Sequence, residues 1–224
     1  MTNRAKLGIT AVAAAAAIAL PLMVSWSRSA EAASNIPPAA LVEPAKGNRE
    51  VAVLAGGCFW GVEAVFEHVK GVSDVTSGFA GKRAGGASYD SVSTGTTGNA
   101  EAVRIIFDPR QVSYAELLRI FFSVAHDPTE INRQGPDVGP QYRSAIFPQS
   151  PAQARVAKSY IAQLQEGHVF KAPIATRIET GGFAPAEAYH QDFMRKNPAH
   201  TYIVINDKPK LAALKSQFPR WWKG

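Results

Sequence analysis

Residues 50–71 read EVAVLAGGCFWGVEAVFEHVKG, and this stretch decides the fold. Its first six residues form a short, β-branched apolar run, which predicts a buried strand followed by a tight turn at two glycines. Four apolar side chains then recur at helical spacing and predict a helix over 59–69 that Gly71 ends. They are Val62, Val65, Phe66 and Val69. Cys58 is therefore predicted to lie at the N-terminus of that helix.

The rest of the chain alternates strands and helices at uneven spacing. We predict strands at 72–79, 101–107, 144–147, 174–179 and 202–205, and helices at 113–124, 150–165, 186–196 and 208–223. Long polar loops cover 81–98 and 126–143, and loops of this length are often functional. This uneven alternation favours an α+β two-layer sandwich with a mixed sheet over a doubly wound parallel sheet.

The first 32 residues have the order of a secretory leader. Arg4 and Lys6 precede an uncharged stretch over 7–27, and residues 30–32 (AEA) form a small-x-small cleavage pattern. An uncleaved membrane anchor is the alternative, because the apolar run approaches the ~20 residues that a spanning helix needs. Pro21 and the cleavage pattern favour cleavage, so residues 1–32 are interpreted as a signal peptide and we expect export to a periplasm.

Composition indicates one folded domain with flanking segments. The 224 residues are 46% hydrophobic and 19% charged, which allows a sizeable core. Residues 33–48, rich in Ala and Pro, are interpreted as a linker, 49–200 as the domain, and 201–224 as a basic and aromatic tail that packs on it. The formal net charge is +6, but Lys and Arg are dispersed, so nucleic-acid binding is not expected.

Cys58 is the only cysteine, so the chain forms no internal disulfide. One interpretation is an inert, buried thiol, since free cysteines are among the most buried residues. Its predicted position favours the other interpretation, because free N–H groups and the dipole at a helix N-terminus lower the pKa of a thiol from about 8.5 towards neutrality. Phe59 and Trp60 follow at once, and an aromatic wall suits a small apolar group such as an S-methyl.

Four ordered motifs resemble those of the A-type peptide methionine sulfoxide reductases. Residues 57–61 read GCFWG, the signature of that family, and 97–103 (TGNAEAV) are similar to its TGHAEAV segment. The second long loop matches through HDPT (126–129), NRQG (132–135) and DVGPQYRS (137–144), and the C-terminal motif through YHQDF (189–193) and KNP (196–198). The resemblance covers about residues 50–200 in the family's order.

The resemblance implies a ferredoxin-like two-layer α+β sandwich and reduction of the S epimer of methionine sulfoxide, in proteins and as the free amino acid. It places the nucleophile at Cys58 and the acid that protonates the sulfoxide oxygen at Glu101. The other implied site residues are the hydrogen-bonding Tyr89 and Tyr142, the acidic Asp137, and the aromatic walls Phe59 and Trp60. Oxidised proteins and peptides are the expected substrates, and a monomer is the expected state.

The chemistry of a sulfoxide agrees with these roles. A thiolate attacks the positive sulfur once the oxygen gains a proton or strong hydrogen bonds, and a Glu is a suitable donor when burial raises its pKa. Attack leaves a sulfenic acid at Cys58. Many family members carry C-terminal resolving cysteines and this chain has none, so we expect an external thiol reductant: a thioredoxin-like protein, a glutaredoxin system or a small thiol. No bound cofactor is expected.

Two residues depart from the family's pattern, and four of the implied site residues also fit structural roles. Asn99 stands where the family commonly has His, and Phe79 where it often has Tyr. Glu101 at a strand start also fits a solvated residue, Asp137 a turn, Tyr142 a core residue and Tyr89 a loop anchor.

The sequence is less consistent with functions other than that of a reductase. A Cys–His hydrolase is disfavoured, because none of the five histidines lies in a hydrolase signature. A non-enzymatic module that binds methionine-rich peptides is a third hypothesis. A metal site is not expected, since one cysteine and scattered histidines give no ligand spacing.

Overall fold

A mixed sheet of six strands forms the centre of the fold in this computed structural model, which describes residues 36–224. The predicted leader, residues 1–32, lies outside the described residues. The strands of the sheet are β1 (Glu50–Gly56), β2 (Val72–Gly81), β3 (Ala100–Phe107), β6 (Ser144–Ile146), β7 (Arg177–Ile178) and β8 (Gly182–Pro185), and β4 (Arg133–Gln134) and β5 (Asp137–Val138) form a separate hairpin. The order in the sheet is β7-β6-β1-β3-β2-β8.

The pairing of these strands makes the sheet mixed. β3 pairs antiparallel with β1 and with β2, β6 pairs antiparallel with β1, and β8 pairs antiparallel with β2. Only the edge pair β6–β7 is parallel among the described strands. The predicted α+β class with a mixed sheet is confirmed.

Both faces of the central strands are covered, because alternate residues of a strand point to opposite faces. Ala52 and Leu54 of β1 join the main core between the sheet and the helices. Val53 and Ala55 join a smaller core on the other face, which is built largely from alanines of β2, β3 and β6. The continuous apolar run of β1 is therefore explained by burial on both sides.

The α-helices of the described residues lie in the connections between strands and after the last strand. They are α1 (Phe59–Glu67), α2 (Tyr89–Ser93), α3 (Tyr114–Ile120), α4 (Pro151–Glu166), α5 (Phe193–Lys196) and α6 (Lys208–Gln217) within residues 36–224. The hydroxyls of Ser113 and Ser150 accept hydrogen bonds from the third helical N–H of α3 and α4, at 3.1 and 3.2 Å. These caps confirm the predicted starts of the two helices.

The strand predicted over 202–205 is wrong. Ile203–Asp207 forms a π-helical turn that leads into α6. Ile203 is fully buried whereas Val204 and Ile205 are exposed, so the β-branched run supplies one core residue rather than an alternating face. Packing of Ile203 on Ala64 and Met194 overrides the strand propensity of the run.

The helix predicted over 186–196 is interrupted. A 3-10 turn covers Ala188–His190, and α5 begins only at Phe193. Asp192 between them has a φ of +55°, a left-handed conformation that a continuous helix cannot include. The chain therefore changes direction inside the motif YHQDF.

The predicted long loops contain short elements that the sequence did not predict. Within 81–98, Ser88 caps α2 through a capping box with Ser91. Within 126–143 lie the β4–β5 hairpin and a 3-10 turn, Pro140–Tyr142. Strand β8 was not predicted, and the strand predicted over 174–179 is reduced to Arg177–Ile178.

The flanking segments pack on the sheet and helices. In the N-terminal one, Tyr160 of α4 donates to the carbonyl of Pro37 at 2.6 Å, and Ile36 is buried. In the C-terminal one, the carbonyl of Trp221 accepts from the N–H of Lys70 at 2.8 Å, just after α1. In the part of the chain that is described, no helix combines the length and the apolar character needed to cross a membrane.

Candidate active site

The turn between β1 and α1 places Cys58 at the first turn of the helix. Gly57 has a φ of +86°, which favours glycine, and a Cβ there would lie 2.4 Å from the side chain of Gln134. A Cβ on Gly56 would lie 2.9 Å from the ring of Phe121. The two glycines therefore allow the chain to turn tightly against Gln134 of β4 and the ring of Phe121, and Cys58 becomes the N-cap of α1.

Cys58 is buried, with 8% of its surface exposed. Burial raises the pKa of its thiol well above the usual range, and the carboxyl groups of Glu101 and Asp207 add to this effect. The N–H of Trp60 and the ammonium group of Lys210 lower the pKa, but by less. The predicted lowering by the helix N-terminus is therefore wrong for this structure, because desolvation outweighs the effects of the Trp60 N–H and of Lys210.

Glu101 on β3 lies beside the start of α1. Its Oε2 accepts a hydrogen bond from the N–H of Phe59 at 3.1 Å, and the residue is only 3% exposed. Burial, assisted by nearby Asp137, raises the pKa of Glu101 to about 8, against the lowering effect of the Phe59 N–H. The carboxyl group is thus protonated at neutral pH, and the alternative of a solvated Glu101 is wrong.

Tyr89 and Tyr142 belong to different loops, and both are influenced by Cys58 and Glu101. Tyr89 begins α2, and its N–H donates to Glu187 at 2.9 Å. Burial and the Glu101 carboxyl raise the pKa of Tyr89 and that of Tyr142. Cys58 adds to the rise at both hydroxyls, so both phenols lie within electrostatic range of the thiol and of the acid.

Asp137 of β5 completes the polar side of the site. Its Oδ2 accepts a hydrogen bond from the hydroxyl of Tyr202. Burial raises the pKa of Asp137, and the Tyr202 hydroxyl and Lys210 oppose the rise. Asp137 is therefore held by the C-terminal segment and not by the turn chemistry of its own loop.

The two aromatic residues after Cys58 have different surroundings. Phe59 is fully buried and packs on Phe79 and His190, with ring centroids 5.9 and 5.0 Å apart. Trp60 is partly exposed, stacks on Phe193 at 3.7 Å and donates from Nε1 to Nδ1 of His190 at 3.1 Å. Trp60 is the more accessible of the two aromatic rings, and Phe59 packs in the core beside Cys58.

The structure also identifies contributors that sequence reasoning missed. His190 contacts the rings of both Trp60 and Tyr89, the latter at a centroid distance of 4.4 Å. Tyr202 holds Asp137, and the Asp207–Lys210 pair faces Cys58. The position of His190 inside YHQDF was an available signal. Nothing in the local sequence of 202–210 indicated that this segment reaches the site.

The two departures from the family pattern have structural explanations. Asn99 is buried, and its Nδ2 donates to the carbonyl of Arg83 at 2.9 Å, which fixes the loop after β2. Phe79 is fully buried against Phe59, where a hydroxyl would need a partner. Both residues therefore stabilise the surroundings of the site.

Other features of the described residues lie apart from this chemistry. Among residues 36–224, no group of three or more His, Cys, Asp or Glu side chains is placed to hold a metal ion. A groove of about 630 Å³ lies between residues 43–51 and the first turns of α3 and α4, and it is lined by none of the predicted site residues.

Comparison with known proteins decides the family. The family described as peptide methionine sulfoxide reductase matches residues 50–221. The chain belongs to the peptide methionine sulfoxide reductase family. It is 54% identical over 178 residues to peptide methionine sulfoxide reductase MsrA 2 of Mesorhizobium japonicum, covering 79% of this chain and 91% of that protein. To the MsrA 2 of Synechocystis sp. it is 55% identical over 170 residues, covering 75% and 79%.

Solved structures agree with this assignment. Reduced Mxr1 of Saccharomyces cerevisiae superposes with a TM-score of 0.61 at 34% identity, covering 71% of this chain and 92% of that one. Methionine sulfoxide reductase A of Corynebacterium diphtheriae gives 0.57 at 32% identity, covering 73% and 83%. The reductase is thus an A-type oxidoreductase, and the hydrolase and non-enzymatic hypotheses are set aside.

Proposed function

We propose that this reductase converts the S epimer of methionine sulfoxide, in oxidised proteins and as the free amino acid, to methionine by attack of Cys58 on the sulfur. The observation that supports the proposal most directly is Glu101. Its carboxyl group is buried, has a pKa of about 8, and accepts from the N–H of Phe59, the residue after Cys58. A protonated acid next to the nucleophile is what the polarised sulfoxide requires.

The chemical step balances with these two groups. The Cys58 thiolate attacks sulfur, the sulfoxide oxygen takes a proton from Glu101, and the oxygen is transferred to the cysteine sulfur. Methionine sulfur is reduced by two electrons and the sulfur of Cys58 is oxidised by two, which gives a sulfenic acid. Solvent then returns a proton to Glu101.

The remaining site residues orient the sulfoxide. The hydroxyls of Tyr89 and Tyr142 donate to the oxygen as negative charge develops on it, and Asp137 holds the polar side of the pocket. Trp60, with Phe59 behind it, forms the wall for the methyl group. Donors on one side and an aromatic wall on the other accept only one arrangement at the chiral sulfur, and this is the basis for selecting one epimer.

The catalytic cycle ends with an external reductant. A thiol of a thioredoxin-like protein, a glutaredoxin system or a small thiol condenses with the sulfenic acid, releasing water and forming a mixed disulfide with Cys58. A second thiol then attacks the reductant's sulfur, and Cys58 leaves as a thiolate. This route follows from the single cysteine of the chain.

Export completes the proposal and rests on the sequence alone. Residues 1–32 direct the chain out of the cytoplasm, to a periplasm, where it acts as a monomer that repairs proteins under oxidative stress. The catalytic domain begins near residue 49. The mass of the purified mature chain tests the leader: loss of 32 residues supports cleavage, and the full mass indicates an anchor.

A single-turnover experiment tests the reaction. Purified protein is mixed with a peptide that carries the S epimer of methionine sulfoxide, without reductant, and methionine is counted per protein. We expect up to one equivalent, together with a sulfenic acid that a dimedone probe traps at Cys58. The R epimer is the matched control and should yield no methionine. Folded protein that forms no methionine from the S epimer refutes the proposal.

A further inference from the structure

A buried ion pair from the C-terminal segment lies against the first turn of α1. Asp207 is fully buried, and Nζ of Lys210 donates to its Oδ1 at 3.0 Å, while 14% of the Lys210 side chain is exposed. Burying such a pair is costly, because both charged groups lose most of their hydration. Packing alone does not require this pair, since apolar residues of similar volume would serve at least as well.

Gly61 allows the pair to approach the helix. A Cβ at this position would lie 2.1 Å from Oδ1 of Asp207 and 2.9 Å from Nζ of Lys210. Any larger residue would push the pair away from α1. Gly61 belongs to the first turn of α1, whose N-cap is Cys58. The two charges therefore pack on the same helical turn that carries the nucleophile.

Both members of the pair act on Cys58. Asp207 favours the thiol form of Cys58, and Lys210 opposes it by favouring the thiolate form, with a smaller effect than that of Asp207. Glu101 also faces Cys58 and is protonated at neutral pH, and the phenols of Tyr89, Tyr142 and Tyr202 face it from three further segments.

Lys210 faces two further titratable groups besides Asp207 and Cys58. The ammonium group of Lys210 lowers the pKa of Asp137 on β5 and that of His126. Burial lowers the pKa of His126 to about 4, so its ring is neutral at neutral pH. Burial raises the pKa of Asp137 and that of Asp207, and the ammonium group of Lys210 opposes both rises, while Asp127 also acts on His126.

We propose that Asp207 and Lys210 are a positioning pair that sets the charge state of Cys58. Asp207 fixes the ammonium group of Lys210 beside the first turn of α1, and that group stabilises the thiolate that attacks the sulfoxide. This inference rests on the proposed role of Cys58 as the nucleophile. The thiol proton passes to solvent, so the step involves no oxidant or reductant. The same ammonium group assists Cys58 when it leaves the mixed disulfide.

The rate of Cys58 alkylation by iodoacetamide, measured against pH on the full chain, tests the pair. In Lys210→Met the midpoint should rise by about one pH unit, which is about tenfold less thiolate at neutral pH. Lys210→Arg should restore the midpoint, because it keeps the charge. Asp207→Asn should lower the midpoint, because Asn keeps an acceptor for Nζ but loses the negative charge.

Lys215→Met is the matched control, since it removes an equal charge from the same helix at a residue that lies over Trp222. Its midpoint should not move. Unchanged midpoints in both pair variants, with thermal unfolding like that of the parent, overturn the proposal. A shift in the same direction for Lys210→Met and Asp207→Asn also overturns it, because a pair that only anchors α6 would act so.

Two features keep the test decisive. If Lys210→Met does not fold, the isosteric Asp207→Asn carries the test, and a midpoint that fails to fall overturns the proposal. Alkylation needs no sulfoxide. A failure of the proposed function would therefore appear in the single-turnover assay, while the alkylation midpoints still report the charge state of Cys58.

Discussion

Glu101 illustrates how burial assigns chemistry to a single residue. The same carboxyl group on an exposed strand would be ionised at neutral pH, with a pKa of about 4.3. On β3 it is 3% exposed, and burial raises its pKa to about 8. Its one hydrogen bond from Phe59 favours the ionised form but does not compensate for the lost hydration.

The proton on Glu101 predicts how activity changes on mutation. Glu101→Gln keeps the shape but removes the acid, so we expect single-turnover methionine formation to slow by about 10²–10⁴-fold. The measurement is rapid quench with the S epimer. Alkylation of Cys58 by iodoacetamide is the control and should continue. An unaffected rate of methionine formation removes Glu101 from the acid role.

The raised pKa of Glu101 also predicts the pH dependence of stability. The folded protein holds a proton that the unfolded chain loses near pH 4.3, so the free energy of unfolding contributed by this group falls as pH rises from there to about 8. Glu63 and Glu67, each with a pKa raised to about 7 by burial, add to the same slope. Urea unfolding across this range should show a shallower slope for Glu101→Gln. An identical slope would contradict the prediction.

At the scale of elements, the turn from β1 into α1 sets the position of the nucleophile. The turn requires two glycines, because a side chain at either position would lie too close to the segment from His126 to Gln134. This is why the β4–β5 hairpin, which carries Asp137, lies next to the first turn of α1. A local pattern in the sequence thus positions a residue that is distant along the chain.

Gly57→Ala tests that element. The residue has a φ of +86° and a Cβ would meet Gln134 at 2.4 Å, so we expect strain and a clash that together cost about 2–3 kcal/mol and displace Cys58. Urea unfolding and the single-turnover rate both report the effect. Gly47→Ala is the control, because its φ of +80° is similar but no atom lies within 4 Å. It should cost about 1 kcal/mol and leave the rate unchanged. Equal costs for the two variants would exclude the clash.

At the scale of the whole molecule, the C-terminal segment is part of both the core and the site. Ile203 and Leu214 are fully buried, and Tyr202 holds Asp137. The carbonyl of Trp221 accepts a hydrogen bond from the N–H of Lys70, just beyond α1. The last residues therefore hold the C-terminal end of the helix whose N-cap is Cys58. Stability and site geometry therefore share the same contacts.

Leu214→Ala measures this contribution. The side chain is fully buried in the main core, so we expect the free energy of unfolding to fall by about 2–5 kcal/mol. Leu41→Ala is the matched control, because 36% of Leu41 is exposed, and it should cost clearly less. Urea unfolding of both variants gives the comparison. A Leu214 cost no larger than that of Leu41 would show that the segment does not belong to the core.

The sequence by itself determined the elements whose patterns are local. The apolar run of β1, the glycine turn, the periodicity of α1 and the caps Ser113 and Ser150 gave correct elements, because each depends on neighbours a few residues away. Motif order indicated the family that the comparison then established.

Only the tertiary structure decided what depends on distant contacts. The segment 202–205 has strand propensity, but burial of Ile203 alone makes it a helical turn. The sequence predicted a thiol with a lowered pKa, whereas desolvation raises the pKa of Cys58. Burial and the approach of Asp207 and Lys210 are properties of the packed chain, since hydration is lost only when segments far apart in sequence close over one another.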